Sequence, residues 1–144
     1  MDRKRATELQ DSKPDVKVVL SGLWISTMFV FVYVDVLASF RADNITSVLE
    51  GRISGTDIEI NQRFLVLVTI FAIAPSLMVS VSLLARARIN RIVNIVVSLA
   101  YVASAGATIV GEKWIYYVVG MVVEMMLWLA IARVAWTWPR HPAR

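Results

Sequence analysis

The sequence predicts an all-α, polytopic membrane protein, a four-helix transmembrane bundle with both termini in the cytoplasm (N-in/C-in). Two observations carry this. Apolar residues make up 58% of the 144-residue chain, above the share usual in globular domains. The charges crowd into residues 1–17, 41–63, 86–91 and 133–144 and leave four long apolar stretches between them. A soluble domain of this size interleaves charge with apolar residues at helical or strand period. About 20 apolar residues in a row instead match the roughly 30 Å of a bilayer's hydrocarbon core.

Taken in order, residues 1–16 form a polar cytoplasmic tail, in which Pro14 discourages helix through Lys13. Residues 17–138 form the membrane domain, with spans from about Val18 to Phe40, Phe64 to Ala85, Ile92 to Val110 and Trp114 to Ala135; residues 139–144 form a second tail. Short links at Arg86–Arg91 and Gly111–Lys113 make antiparallel neighbours of the last three spans. Val36-Leu37-Ala38 looks like a signal-peptidase site, but the apolar run before it is long and Asp35 sits beside the cut, so the first span is expected to remain.

The outer connection covers residues 41–63. Ile45, Val48, Leu49 and Ile53 recur at helical spacing, with Asn44 or Thr46 as cap and Gly51 and Gly55 as breakers. They predict a short helix, expected to pack as a connector on the helix ends; a helix lying on the outer leaflet, or a lid over the bundle mouth, is the alternative.

Orientation follows from lysine and arginine. With the N-terminus inside, the inner segments hold 11 of the 15 (Arg3, Lys4, Arg5, Lys13, Lys17, Arg86, Arg88, Arg91, Arg133, Arg140 and Arg144), and Arg41, Arg52, Arg63 and Lys113 lie outside. The positive-inside rule then sets both termini in the cytoplasm of a multi-pass cell-membrane protein.

Several chemistries are excluded. There is no cysteine, and the one histidine, His141, lies in the tail, which rules out thiolate metal sites and a bis-histidine haem inside the bundle. No nucleophile–base pair or metal-ligand spacing is present, so no catalytic residue, metal or cofactor is expected. The net charge of +4 reads as topology and contact with lipid, not nucleic acid, because the basic residues flank apolar spans.

What remains is polar chemistry inside the membrane. Asp35 in the first span and Glu124 in the fourth each cost roughly 2.5–3.5 kcal/mol to insert near mid-membrane. Asp35 lies about 7–8 Å below the outer end of its helix and Glu124 about 15 Å below the outer end of its own. Side chains tilt toward the helix N-terminus, so antiparallel faces would bring the two carboxyls together, and at least one is expected to hold a proton. Asn94, Ser98 and Tyr101 share one face of the third span, and the Tyr101 hydroxyl is expected to donate to Glu124. Pro75 frees a backbone carbonyl in the second span. In the inner turn, Arg88, Asn90 and Arg91 are candidate ligands for an anionic headgroup.

Leu20-Ser21-Gly22-Leu23-Trp24-Ile25 with Met28-Phe29, then Asp35-Val36-Leu37, resembles the first-helix signature of a family of small four-helix bacterial membrane proteins, a domain of unknown function. Gln62-Arg63-Phe64-Leu65, Pro75, the Arg88–Asn94 turn and Glu124 continue the likeness over about residues 18–138. Val34, where a smaller residue is expected, departs from it. The resemblance implies a bacterial inner membrane and marks the same acid, turn and glutamate; it implies no reaction.

The expected role is therefore a non-enzymatic accessory or homo-oligomeric membrane component with a buried Asp/Glu/Tyr cluster, partnered by the bilayer, by anionic headgroups and by its own copies or a larger complex. The alternative is a proton- or cation-coupled carrier or channel module built on the intramembrane carboxylates.

Overall fold

Pro14 breaks the chain, and the Asp15 carboxylate accepts the N–H of Lys17 at 2.7 Å, so α1 starts at Val16 and runs to Ala38. The computed structural model describes residues 12–109 and 111–139; His141 and the tail cations Arg3, Lys4, Arg5, Arg140 and Arg144 lie outside the described residues. A short α2 (Ala42–Leu49) follows, then α3 (Gln62–Leu84), opened by Asn61 accepting the Phe64 N–H at 3.0 Å, then α4 (Ala87–Thr108) and α5 (Ile115–Trp136). The helices α1, α3, α4 and α5 are long and apolar enough to cross a membrane.

Side chains define the two ends of the bundle. At the basic end, Lys17 Nζ donates to the carbonyls of Ala85 (2.9 Å) and Leu83 (3.2 Å), and the Arg91 guanidinium stacks on Trp136 at 5.5 Å. The start of α1, the α3–α4 turn and the end of α5 therefore share one end. At the other, Arg41 pairs with Asp43 (2.6 Å) and Glu112 (3.4 Å) and lies 4.8 Å over the Trp114 ring.

Helix α1 packs on α3 and α5, and α5 packs on α4, whereas the backbones of α3 and α4 stay apart despite their short link. Aromatic side chains fill that gap. The Phe71 and Tyr101 rings lie 4.6 Å apart, Tyr101 and Trp128 5.3 Å, and Trp24 meets Tyr101 edge-on at 6.2 Å. Around this stack the core gathers Leu20, Met78, Met121, Ile131 and Ala135. From Leu65 to Ile73, every residue of α3 is exposed on the bundle surface, which suits a helix apolar all round only in lipid.

Two local findings refine the expectations. Val34, the departure from the family pattern, is accommodated by Gly120 on α5: a Cβ there would collide with the Val34 γ-methyl. The loop helix α2 does form, but Ile45, Val48 and Leu49 stay uncovered, with Leu49 83% exposed. Its apolar face does not pack on the helix ends; among the described residues it is held at its start, by the Arg41 clamp and by Asn44, whose Nδ2 donates to the Ala38 carbonyl at 3.0 Å. Beyond it, Gly51 and Gly55 take positive φ (76° and 72°), which turns the chain into a small hairpin closed by Ile60 N–H on Gly51 O at 2.8 Å.

The Val34–Gly120 seat yields a first prediction. Gly120→Ala is expected to destabilise the protein by about 1–3 kcal/mol through overpacking. Adding Val34→Ala should recover most of the loss, a coupling that thermal melts of the single and double variants will measure.

The Arg41 clamp yields a second. The Arg41 hydrogen bond holds the Asp43 carboxyl below its usual range. For Glu112, burial pushes upward, but the N–H groups of Trp114 and Lys113 together with Arg41 outweigh it and hold the carboxyl low. Depressed folded values mean that the stabilisation is full above the unfolded values of about 4 and is lost as pH falls through the folded ones. The melting temperature should therefore drop below about pH 4. Arg41→Gln should flatten that acid limb and change the melting temperature little at neutral pH.

Candidate functional site

Of the stripe Asn94, Ser98 and Tyr101, the structure makes two separate arrangements. Asn94 is fully buried and sits at the centre of a closed network toward the basic end. Its Oδ1 accepts from Trp24 Nε1 on α1 (2.7 Å) and from Ser82 Oγ on α3 (3.2 Å). Its Nδ2 donates to the backbone and side-chain oxygens of Asn90 (2.9 and 2.6 Å). The Asn90 Nδ2 in turn donates to the Ser82 carbonyl at 2.6 Å. One amide thus ties three helices together. Ser98, also buried, bonds only back to Ile95 O at 3.2 Å.

Tyr101 does not donate to Glu124. Pro75 has no N–H, so the Phe71 carbonyl one turn earlier lacks its helical partner, and the Tyr101 hydroxyl donates to that carbonyl. The α3–α4 gap is therefore bridged by hydrogen bonds at two places, around Ser82, which donates to Asn94 and accepts from Asn90, and at Phe71, which accepts from Tyr101.

Glu124 stands alone. It is 1% exposed, and neither carboxylate oxygen has a hydrogen-bond partner. Among the described residues, the other buried side-chain polar atoms without partners are the Trp128 Nε1, one turn along the same helix, and the Tyr116 hydroxyl. Buried polar groups in folded proteins are nearly always paired, and in a membrane the cost of leaving one unpaired rises. The two acids do not form a buried pair either. Asp35 lies exposed on the bundle surface, one turn before the end of α1, because its neighbour Val34 takes the position facing α5 and successive helical residues point about 100° apart.

Beside this site lies a cavity of about 180 Å³ between α1, α3, α4 and α5, walled by Thr27, Phe31, Pro75, Ser76, Tyr101 and Trp128. That exceeds the roughly 150 Å³ known to hold a benzene-sized solute. It continues into a groove on the α1–α3 surface through the shared residues Met28, Val32 and Ser76. Glu124 does not line the cavity; Trp128 stands beside it.

At the basic end, Arg88 is exposed and Arg91 half-buried, whereas Asn90 points into the bundle and is consumed by the network. The sequence reading therefore missed Trp24 and Ser82 as the partners of Asn94. Their signal was present: an indole N–H and a hydroxyl inside apolar spans need acceptors.

The network makes a direct prediction. Asn94→Leu strands the Trp24 N–H and the Ser82 hydroxyl and should cost about 1–3 kcal/mol. Ser80→Ala, at an exposed position on α3, should stay within about 0.5 kcal/mol. Melts in one detergent will compare them.

No curated protein and no solved structure matches this chain. One family model does, over residues 8–143, nearly the whole chain and every helix described above, and on that match the protein belongs to the family of unknown function DUF6326.

Proposed function

We propose that this protein is a non-enzymatic, multi-pass membrane component whose Glu124 binds and releases a proton or holds a cation within the bundle. The observation that carries this is the contrast between two buried polar groups in one small bundle. Asn94 is completely satisfied, as a helix-pairing device should be. Glu124 is equally buried and bonded to nothing. A carboxyl kept in that setting contributes little to helix pairing, and intramembrane acids of this kind mark ion and proton paths. The adjoining aromatic cavity is where a solute would sit. Four helices supply a binding site rather than a through-path, so a carrier built this way works as a pair of protomers. The basic end faces the cytoplasm of a bacterial inner membrane in this reading, supported by the distribution of lysine and arginine.

A second reading, an accessory or homo-oligomeric subunit, is favoured by Asp35, an acid within a span that lies exposed on the bundle surface. Recovery of a lone monomer from mild detergent would count against it.

Glu124→Gln keeps the shape and removes the ionisable proton. In lipid vesicles, infrared titration should reveal a protonated-carboxyl band that changes with pH in the wild type and is missing from the variant. Proton entry, followed with an entrapped pH dye, should fall by about tenfold or more, with melting behaviour unchanged. A band and a flux that survive the substitution would overturn the assignment.

A further inference from the structure

The basic end of the bundle holds a second site, independent of Glu124. A pocket of about 400 Å³ opens between the first turns of α4 and the end of α5, lined by Arg88, Arg91, Ile92, Ile95, Trp136 and Trp138. Its chemistry changes along its length. Two guanidinium groups stand at its rim, where α4 begins. Ile92 and Ile95 continue along α4 toward the middle of the bundle, and two indoles form the opposite wall.

Among the described residues, neither guanidinium group has an acidic counterpart. The ion pairs formed there are those of Arg41 with Asp43 and Glu112, at the far end. The first turn of α4 contains no acid, and Arg86 makes no side-chain cap there. Cations at a helix N-terminus lie against the positive pole of its dipole, so neither arginine is placed for the benefit of its own helix. The Arg91 guanidinium lies over the Trp136 ring, 5.5 Å from its centre, a contact that lowers the entropy it loses on gripping an anion. Trp136 is 67% exposed and Ile92 56% exposed, so the pocket is open along the surface that the membrane would cover.

A rim of paired guanidiniums over an apolar, indole-walled slot complements an amphiphile with an anionic head. We propose that this pocket binds an anionic phospholipid. Arg88 and Arg91 grip the phosphate as charge-assisted, fork-like donors, and the upper part of an acyl chain lies along Ile92 and Ile95 between the indoles. Tryptophan suits this depth, with its ring in the apolar layer and its N–H toward the headgroups. Asn90, which the turn motif alone would include, is not part of the site. Soluble phosphate compounds share the headgroup chemistry but have no use for the apolar half of the slot.

The test uses the full chain, delipidated in detergent and titrated with phosphatidylglycerol or phosphatidylcholine, with bound lipid counted by native mass spectrometry. The wild type should prefer phosphatidylglycerol by about tenfold or more. Arg88→Gln removes an exposed side chain that makes no bond to the other described residues, so its folding should be unaffected, and the preference should shrink severalfold. Trp136→Ala should weaken binding of phosphatidylglycerol, while Arg133→Gln, a basic-end arginine outside the pocket, should leave it unchanged. An equal loss with Arg133→Gln would mean diffuse charge attraction and overturn the site. Displacement of the lipid by glycerol phosphate at low millimolar concentration would also overturn the proposal, in favour of a soluble phosphate ligand. Equal retention of both lipids by the wild type would do the same.

Discussion

Hydrocarbon offers a polar group no water, so each donor or acceptor within a span must find its partner in the protein or carry a cost. That constraint organises this bundle. The main chain meets it by forming helices, and the side chains meet it by joining them. Asn94 is the clearest case: one carboxamide accepts from α1 and α3 and donates within α4. Tyr101 meets it differently, supplying the donor that the Phe71 carbonyl lost to Pro75. Both contacts span the α3–α4 gap, where the backbones themselves do not approach closely.

Glu124 is defined against this background. The same small volume contains a network in which donors and acceptors are matched and a carboxyl matched to none. The apolar transfer energies that hold a soluble core together do not draw helices together in lipid, and the specificity of pairing falls to close packing and polar contacts. Val34 on Gly120 supplies close packing between α1 and α5, and the Asn94 network supplies the polar contact. Glu124 contributes no hydrogen bond to this pairing.

The two ends of the bundle are built on opposite electrostatic plans. At the loop end, Arg41 is neutralised twice by carboxylates and covered by Trp114. At the basic end, Lys17 satisfies carbonyls at the end of α3, a cation where the helix dipole favours one, while Arg88 and Arg91 pair with no acid among the described residues. A clamp of paired charges closes one end, and at the other the described arginines of α4 form no ion pair among the described residues.

The positions of the helices were legible from residue order alone, since charge clustering and span length depend on local composition and on the thickness of a bilayer. The carbonyl freed by Pro75, the Gly51 and Gly55 turns and the burial of Asn94, Ser98, Tyr101 and Glu124 on their inward faces followed from backbone chemistry and helical period. Partnership did not follow. Whether Tyr101 reaches Glu124 or Phe71, whether Asn90 faces headgroups or Ser82, and whether Asp35 turns inward all depend on rotations of tens of degrees between packed helices. Those rotations are set by contacts between residues far apart in the chain, such as Val34 seated on Gly120. A helical pattern specifies which face is apolar; only the packed bundle decides what that face meets.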